Sequence, residues 1–172
     1  MDRRGMLQTV SLGGAAMALL ATGGGGAQAA ESDGAAANAC LDRMIEAINT
    51  HNIDLLDKVY ADSGYTNHQA LIMPNAAPPN MNGRAQAKAY FGARFKAFPD
   101  VTLRTDIRVV QGDLIAANLI WSGTQKDTYL GIPASGKKAV WNSTDVLRVK
   151  DGLFVEHWGS VDFVGLMKQL KG

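Results

Sequence analysis

Between Val101 and Asp162 the chain repeats in a way that few folds accommodate. Val101, Leu103, Ile107 and Val109 alternate with Thr102, Arg104, Asp106 and Arg108, a period of two. Gly112-Asp113 supplies a turn, Leu114–Gln125 and Lys138–Val149 read as long strands, and Asp151-Gly152 turns the chain into a final run, "LFVEHWGSVDF". Strands joined by two-residue turns pair antiparallel. Ahead of them the spacing is helical. Leu41, Met44, Ile45 and Ile48 fall at i, i+3, i+4 and i+7 after a loose tail over 31–36. Asn52 can cap a second helix with Leu55, Leu56, Val59 and Tyr60, and Asn82 a third, with Ala87, Phe91, Phe95 and Phe98 on its core face. "MPNAAPPNMNG" holds three prolines and reads as a loop, and Phe163–Leu170 reads as a last helix. Helices followed by a run of antiparallel strands give an α+β fold, not alternating βαβ units.

The first 29 residues read as an export leader, leaving residues 30–172 as one domain. Val10–Ala21 is a 12-residue apolar stretch, shorter than the ~20 residues a membrane-spanning helix needs. Ala27-Gln28-Ala29 is an A-x-A cleavage site. Arg3-Arg4 resembles the twin-arginine signal, with a general secretory signal as the alternative. Either route places the mature protein in the periplasm or outside the cell, with no membrane contact after cleavage. The single cysteine, Cys40, leaves no internal disulfide and reads as a buried residue of the first helix.

Charge excludes some partners. The chain holds 17 Lys and Arg against 16 Asp and Glu. The leader carries two of the former and one of the latter, so the remainder balances at zero. No Lys/Arg-rich run offers a nucleic-acid surface. No glycine-rich phosphate loop follows a strand, and His51, His68 and His157 are too scattered to suggest a metal site. With 47% apolar and 19% charged residues, the chain can build a core with an apolar pocket.

The last strand carries the candidate chemistry. Alternate residues share a face, so Glu156, Trp158, Ser160 and Asp162 lie on one side and Val155, His157, Gly159 and Val161 on the other. Trp158 and Asp162 then face the pocket, unless a bulge at Gly159 changes the register. Trp121, Trp141 and Trp158, one per long strand, suit a pocket wall; each alone also reads as core or dimer interface. By spacing, Asp162 reads first as the N-cap of the last helix and second as a general acid/base.

Several pieces resemble the polyketide cyclase family typified by SnoaL. They are Phe98-Pro99-Asp100, Gly112-Asp113, "YLGIPASGKK", "DVLRVKDG" and "VEHWGSVD", spread over roughly the last 75 residues in order, with "YTNH" and "NGRAQAKAYF" before them. The resemblance implies the NTF2-like cone shared with nuclear transport factor 2, N-terminal helices packed on a curved antiparallel sheet around a central pocket. It also implies ring closure by an intramolecular aldol reaction without cofactor or metal. The family's acid/base aspartate maps onto Asp162, and His68 in "YTNH" matches a histidine common in the family. On the strand where those cyclases use a second histidine, this chain has Asn142, Ser143 and Thr144. The candidate site is therefore Asp162 and His68 for catalysis, with Trp158, Trp121, Trp141, Asn142, Tyr65 and Phe95 holding the ligand. The expected function is an acid/base enzyme (cyclase, isomerase, lyase or hydrolase) on a small apolar or polyketide-like molecule. The alternatives are a periplasmic binding protein and a structural accessory protein. A homodimer joined through the sheets is expected.

Overall fold

Asp151 and Gly152 both take positive φ, 53° and 74°. That is the type I′ geometry whose twist matches a tight hairpin, and Lys150 pairs directly with Leu153 across it. Gly112, at φ 57°, does the same service between Gln111 and Leu114. A computed structural model describes residues 24–71 and 83–172. Its elements are α1 (Gly24–Asn49), a 3-10 helix (Ile53–Lys58), β1 (Thr66–Asn67), a 3-10 turn (His68–Leu71), α2 (Gly83–Ala97), β2 (Thr102–Gln111), β3 (Leu114–Thr124), β4 (Lys138–Lys150), β5 (Leu153–Val161) and α3 (Phe163–Lys171). The five strands form one curved, unclosed sheet in the order β1-β5-β4-β3-β2. The long strands are antiparallel, and β1 adds a short parallel edge to β5.

Helix α1 lies against β2, β3 and β4. Ala37, Cys40, Leu41, Met44, Ala47 and Ile48 are buried along one stripe, the 3.6-residue period continued for three turns. The helix begins earlier than the periodicity suggests. Residues 31–36, read as a tail, are helical, and Gly34 rests on Val110 with 3.2 Å between its would-be Cβ and the valine methyl. Its C-terminal end is tied to the sheet. Asn49 accepts from the Leu103 amide at 2.7 Å and donates to the Leu103 carbonyl at 2.9 Å, the pairing a neighbouring strand would make. Burial pushes the Cys40 thiol up to about 11, and the thiol lies 3.5 Å from the Val59 carbonyl.

Asn52 caps as expected, but over a 3-10 helix: its side chain accepts from the Asp54 amide. The three-proline loop, the Asn82 cap and residues 1–23, within the stretch expected to be an export leader, fall outside the described residues.

Two β-bulges decide which residues face inward. In β2 the register shifts between Thr105 and Ile107, so Asp106 is an extra residue. Val101 and Leu103 are buried, whereas Ile107 and Val109 are each 62% exposed. The single apolar side expected over Val101–Val109 is therefore split across the two faces of the sheet. In β5 the register shifts opposite Arg148 and Val149, because Val149 pairs with Phe154 but Arg148 with Glu156. Val155 is the extra residue. A one-residue slip flips every later side chain to the other face. Phe154 is buried in the core, and beyond the bulge His157, Gly159 and Val161 are the inward set.

Candidate functional site

The pocket opens between the helices and the inner sheet face. Met44 of α1, Tyr90, Phe91 and Arg94 of α2, and Leu119, Trp121, Ser143, Asp145, Leu147, His157 and Val161 of the sheet line it, with Tyr60 and Gln69. The empty space is about 380 Å³, counting its open mouth. The space open to a water-sized molecule is about 40 Å³, well below the range typical of small-molecule sites, and its walls are mainly apolar.

Its polar centre is Asp145 and His157. Asp145 sits on β4, two residues beyond Ser143, and His157 on β5, so the alternation of two neighbouring strands brings them together. His157 Nε2 lies 2.8 Å from Asp145 Oδ1, and His157 Nδ1 lies 3.1 Å from Asn67 Oδ1. Gly159, opposite Asp145, makes the approach possible: a Cβ there would collide with Asp145 Oδ1 and come within 2.7 Å of His157 Nε2.

The hydrogen-bond directions follow from the donors at each end. Trp121 Nε1 can only donate, and it does so to Ser143 Oγ at 3.1 Å. Ser143 then gives its own hydrogen to Asp145 Oδ2 at 2.7 Å. On the other side the Gln69 amide donates to Asn67 Oδ1 at 3.0 Å, which fixes that atom as an oxygen. His157 Nδ1 facing it must carry a hydrogen. Nε2 and Asp145 Oδ1 therefore share a single proton, as imidazolium and carboxylate or as imidazole and carboxylic acid. Either way the pair is neutral overall. Burial pushes the phenols of Tyr60, Tyr65 and Tyr90 up, so they stand around the pair as neutral hydroxyls.

Arg94 is the second polar feature, and it is 2% exposed. Its guanidinium lies 4.1 Å from the Trp121 ring centroid and 4.6 Å from that of Tyr90. Nε and Nη2 donate to the Tyr129 hydroxyl at 3.1 and 3.0 Å, and Nη2 also donates to the Tyr90 hydroxyl.

The residues expected from sequence are dispersed by this geometry. Trp121 lines the pocket, and Trp141 is buried against it, ring centroids 6.2 Å apart. Tyr65 packs edge-on to Tyr60 at 5.5 Å and Phe95 edge-on to His51 at 5.1 Å, both half-buried and neither lining the cavity. Trp158 and Asn142 correct the expectation. They pair with Val146 and Ile120 on the outer face, because the β5 bulge turns Trp158 outward and Asn142 alternates with the inward Trp141 and Ser143. His68 stacks on Trp158 at 4.7 Å and lies 3.0 Å from Glu156, whose other oxygen accepts from Arg148 at 3.0 Å. The His68 and Arg148 hydrogen bonds hold the Glu156 carboxyl below its usual range. Asp162 is exposed and caps α3, accepting from the Gly165 amide at 2.8 Å. Among the described residues no three His, Cys, Asp or Glu side chains gather to hold a metal ion.

The signals for the missed residues were present. Starting from an inward Trp141, a period of two puts Ser143 and Asp145 inward as well. Along α2 and the residue after it, the spacing Ala87, Phe91, Arg94, Phe98 is as helical as the one through Phe95, although arginine is rarely buried.

The model of the SnoaL-like polyketide cyclases matches residues 38–170 of the chain. Among solved structures, TsrD from Streptomyces laurentii is 29% identical, with a TM-score of 0.69 over 79% of this chain and 95% of that one. Wild-type IdmH from Streptomyces antibioticus is 25% identical, with a TM-score of 0.66 over 79% and 99%. A SnoaL-like polyketide cyclase from Agrobacterium tumefaciens, 17% identical with a TM-score of 0.64 over 78% and 97%, shares the fold. No curated protein matches the chain significantly.

Proposed function

The chain belongs to the SnoaL-like polyketide cyclase family, and on that premise we propose that it is a cofactor-independent acid/base enzyme whose proton carrier is the Asp145–His157 pair. The observation that carries this reading is the 2.8 Å contact between His157 Nε2 and Asp145 Oδ1 inside an apolar pocket. For an aldol-type ring closure the balance is complete. The pair takes a proton from a carbon beside a carbonyl, the carbanion attacks a second carbonyl of the same molecule, and the pair returns the proton to the new alkoxide. The family resemblance calls for an aspartate on the last long strand and a histidine on its neighbour. Here the same two residue types occupy the same two strands, exchanged.

Proton transfer at carbon can be measured before the natural substrate is known. The protein is incubated in D₂O with a set of aromatic β-dicarbonyl compounds, and deuterium entry beside the carbonyl is followed by mass spectrometry. The wild type is expected to accelerate exchange, His157→Gln to abolish the acceleration, and Asp162→Asn to retain it with its cap intact, since Asn caps nearly as well as Asp. Loss in Asp162→Asn with retention in His157→Gln would transfer the role to Asp162. Binding of the compounds without exchange in the wild type would make the protein a carrier.

The proposal includes a homodimer through the outer sheet face, where Ile107, Val109 and Val140 are 62%, 62% and 50% exposed. Light scattering at micromolar concentration should give twice the chain mass, and Val109→Glu should halve it. A monomeric wild type rejects the dimer.

A further inference from the structure

Resting on the acid/base reading, we infer that the substrate enters as a monoanion whose charged oxygen is bound by Arg94. The argument is a charge count over the pocket lining. Asp145 is the one carboxylate among the described lining residues, and the directed hydrogen bonds make it and His157 neutral together. The lining tyrosines, Tyr60 and Tyr90, are neutral. Arg94, always charged, is left as one positive charge with no balancing partner. Among the described residues no carboxylate lies within ion-pair distance of it; its partners are two hydroxyls and the faces of aromatic rings.

Burying an uncompensated guanidinium is costly. The structure carries that cost at the pocket wall, where a ligand can relieve it. Two of the three guanidinium nitrogens are spent on Tyr129 and Tyr90, and Nη1 makes no hydrogen bond among the described residues. Tyr90 accepts from Arg94, and its hydroxyl also shares a hydrogen bond with that of Tyr129. An anionic oxygen beside Nη1 would therefore meet that one free donor group and the full charge. The stacked Trp121 gives an apolar aromatic floor next to them, which selects a flat ring system attached to that oxygen. A carboxylate and the enolate of a 1,3-dicarbonyl both present this chemistry.

The test compares anionic ligands with neutral analogues of similar shape, read by quenching of tryptophan fluorescence in a Trp158→Phe background that removes the outer-face signal. The probes are 2-naphthoate against 2-naphthamide, and an ionised cyclic 1,3-diketone against the parent ketone. At least one anion is expected to bind about 10- to 100-fold more tightly than its neutral partner. Arg94→Met should abolish the preference and Arg94→Lys should keep part of it. Equal affinity within both pairs, or no binding of any probe at millimolar concentration, overturns the inference even if neither variant folds. Which pair shows the preference separates carboxylate from enolate. Binding is also measured in His157→Gln. Charge preference there without carbon-acid exchange in the wild type would keep this inference while rejecting the acid/base reading.

Discussion

Asp145→Asn should lower turnover by about 10²–10⁴-fold and leave the protein melting close to the wild type. The substitution is isosteric, and the surrounding donors dictate how the amide sits. Ser143 gives its hydrogen to the Oδ2 position, so the amide oxygen must lie there and the NH₂ must face His157 Nε2. That arrangement satisfies the histidine, which keeps its Nδ1 hydrogen on Asn67, and leaves the Trp121–Ser143 bond undisturbed. Geometry survives, but the proton between the pair becomes an amide hydrogen that neither transfers nor returns. The measurement is a single-turnover rate, or the carbon-acid exchange rate, beside a thermal melt. A variant that exchanges protons at the wild-type rate would remove Asp145 from the mechanism.

Gly159→Ala should be nearly as damaging to activity through a single methyl. The added carbon would occupy the space between Asp145 Oδ1 and His157 Nε2, 2.7 Å from the latter. Neither side chain has an easy retreat, because each is held by a second partner, Ser143 for one and Asn67 for the other. The pair must separate, with a loss of about 10²–10⁴-fold in rate and an overpacking cost of about 1–3 kcal/mol. Gly92→Ala is the control. It lies within α2 with nothing near its would-be Cβ, so the change should leave activity intact and stabilise by roughly 0.5–1 kcal/mol. Wild-type activity in Gly159→Ala would show that the Asp145–His157 contact is dispensable.

Glu156, His157 and Trp158 show why one part of the site was readable from sequence and another was not. That a strand runs through them, that Asp151-Gly152 joins it antiparallel to β4, and that α3 starts at Asp162 all follow from local chemistry. Turn residues, alternation and a capping carboxylate act within a few positions of chain. Those signals determine the α+β layout and the helix stripe from Ala37 to Ile48, and they put Trp141, Ser143 and Asp145 on one face of β4 without saying which face is inward. Which of Glu156 and His157 faces the pocket is different in kind. Counting from the hairpin, an unbroken ladder would set Glu156 and Trp158 inward; the bulge at Val155 sets His157 and Gly159 there instead. A bulge belongs to a pair of strands and is set by their packing, here with β1 held parallel to β5 on the far side. Likewise Arg94 could be placed on its helix face by spacing, but its burial among Tyr90, Trp121 and Tyr129 depends on side chains from β3 and from the loop after it. The sequence by itself determined the elements and their order. The tertiary structure decided the register, because with a side-chain period of two a single extra residue exchanges the two faces of a strand.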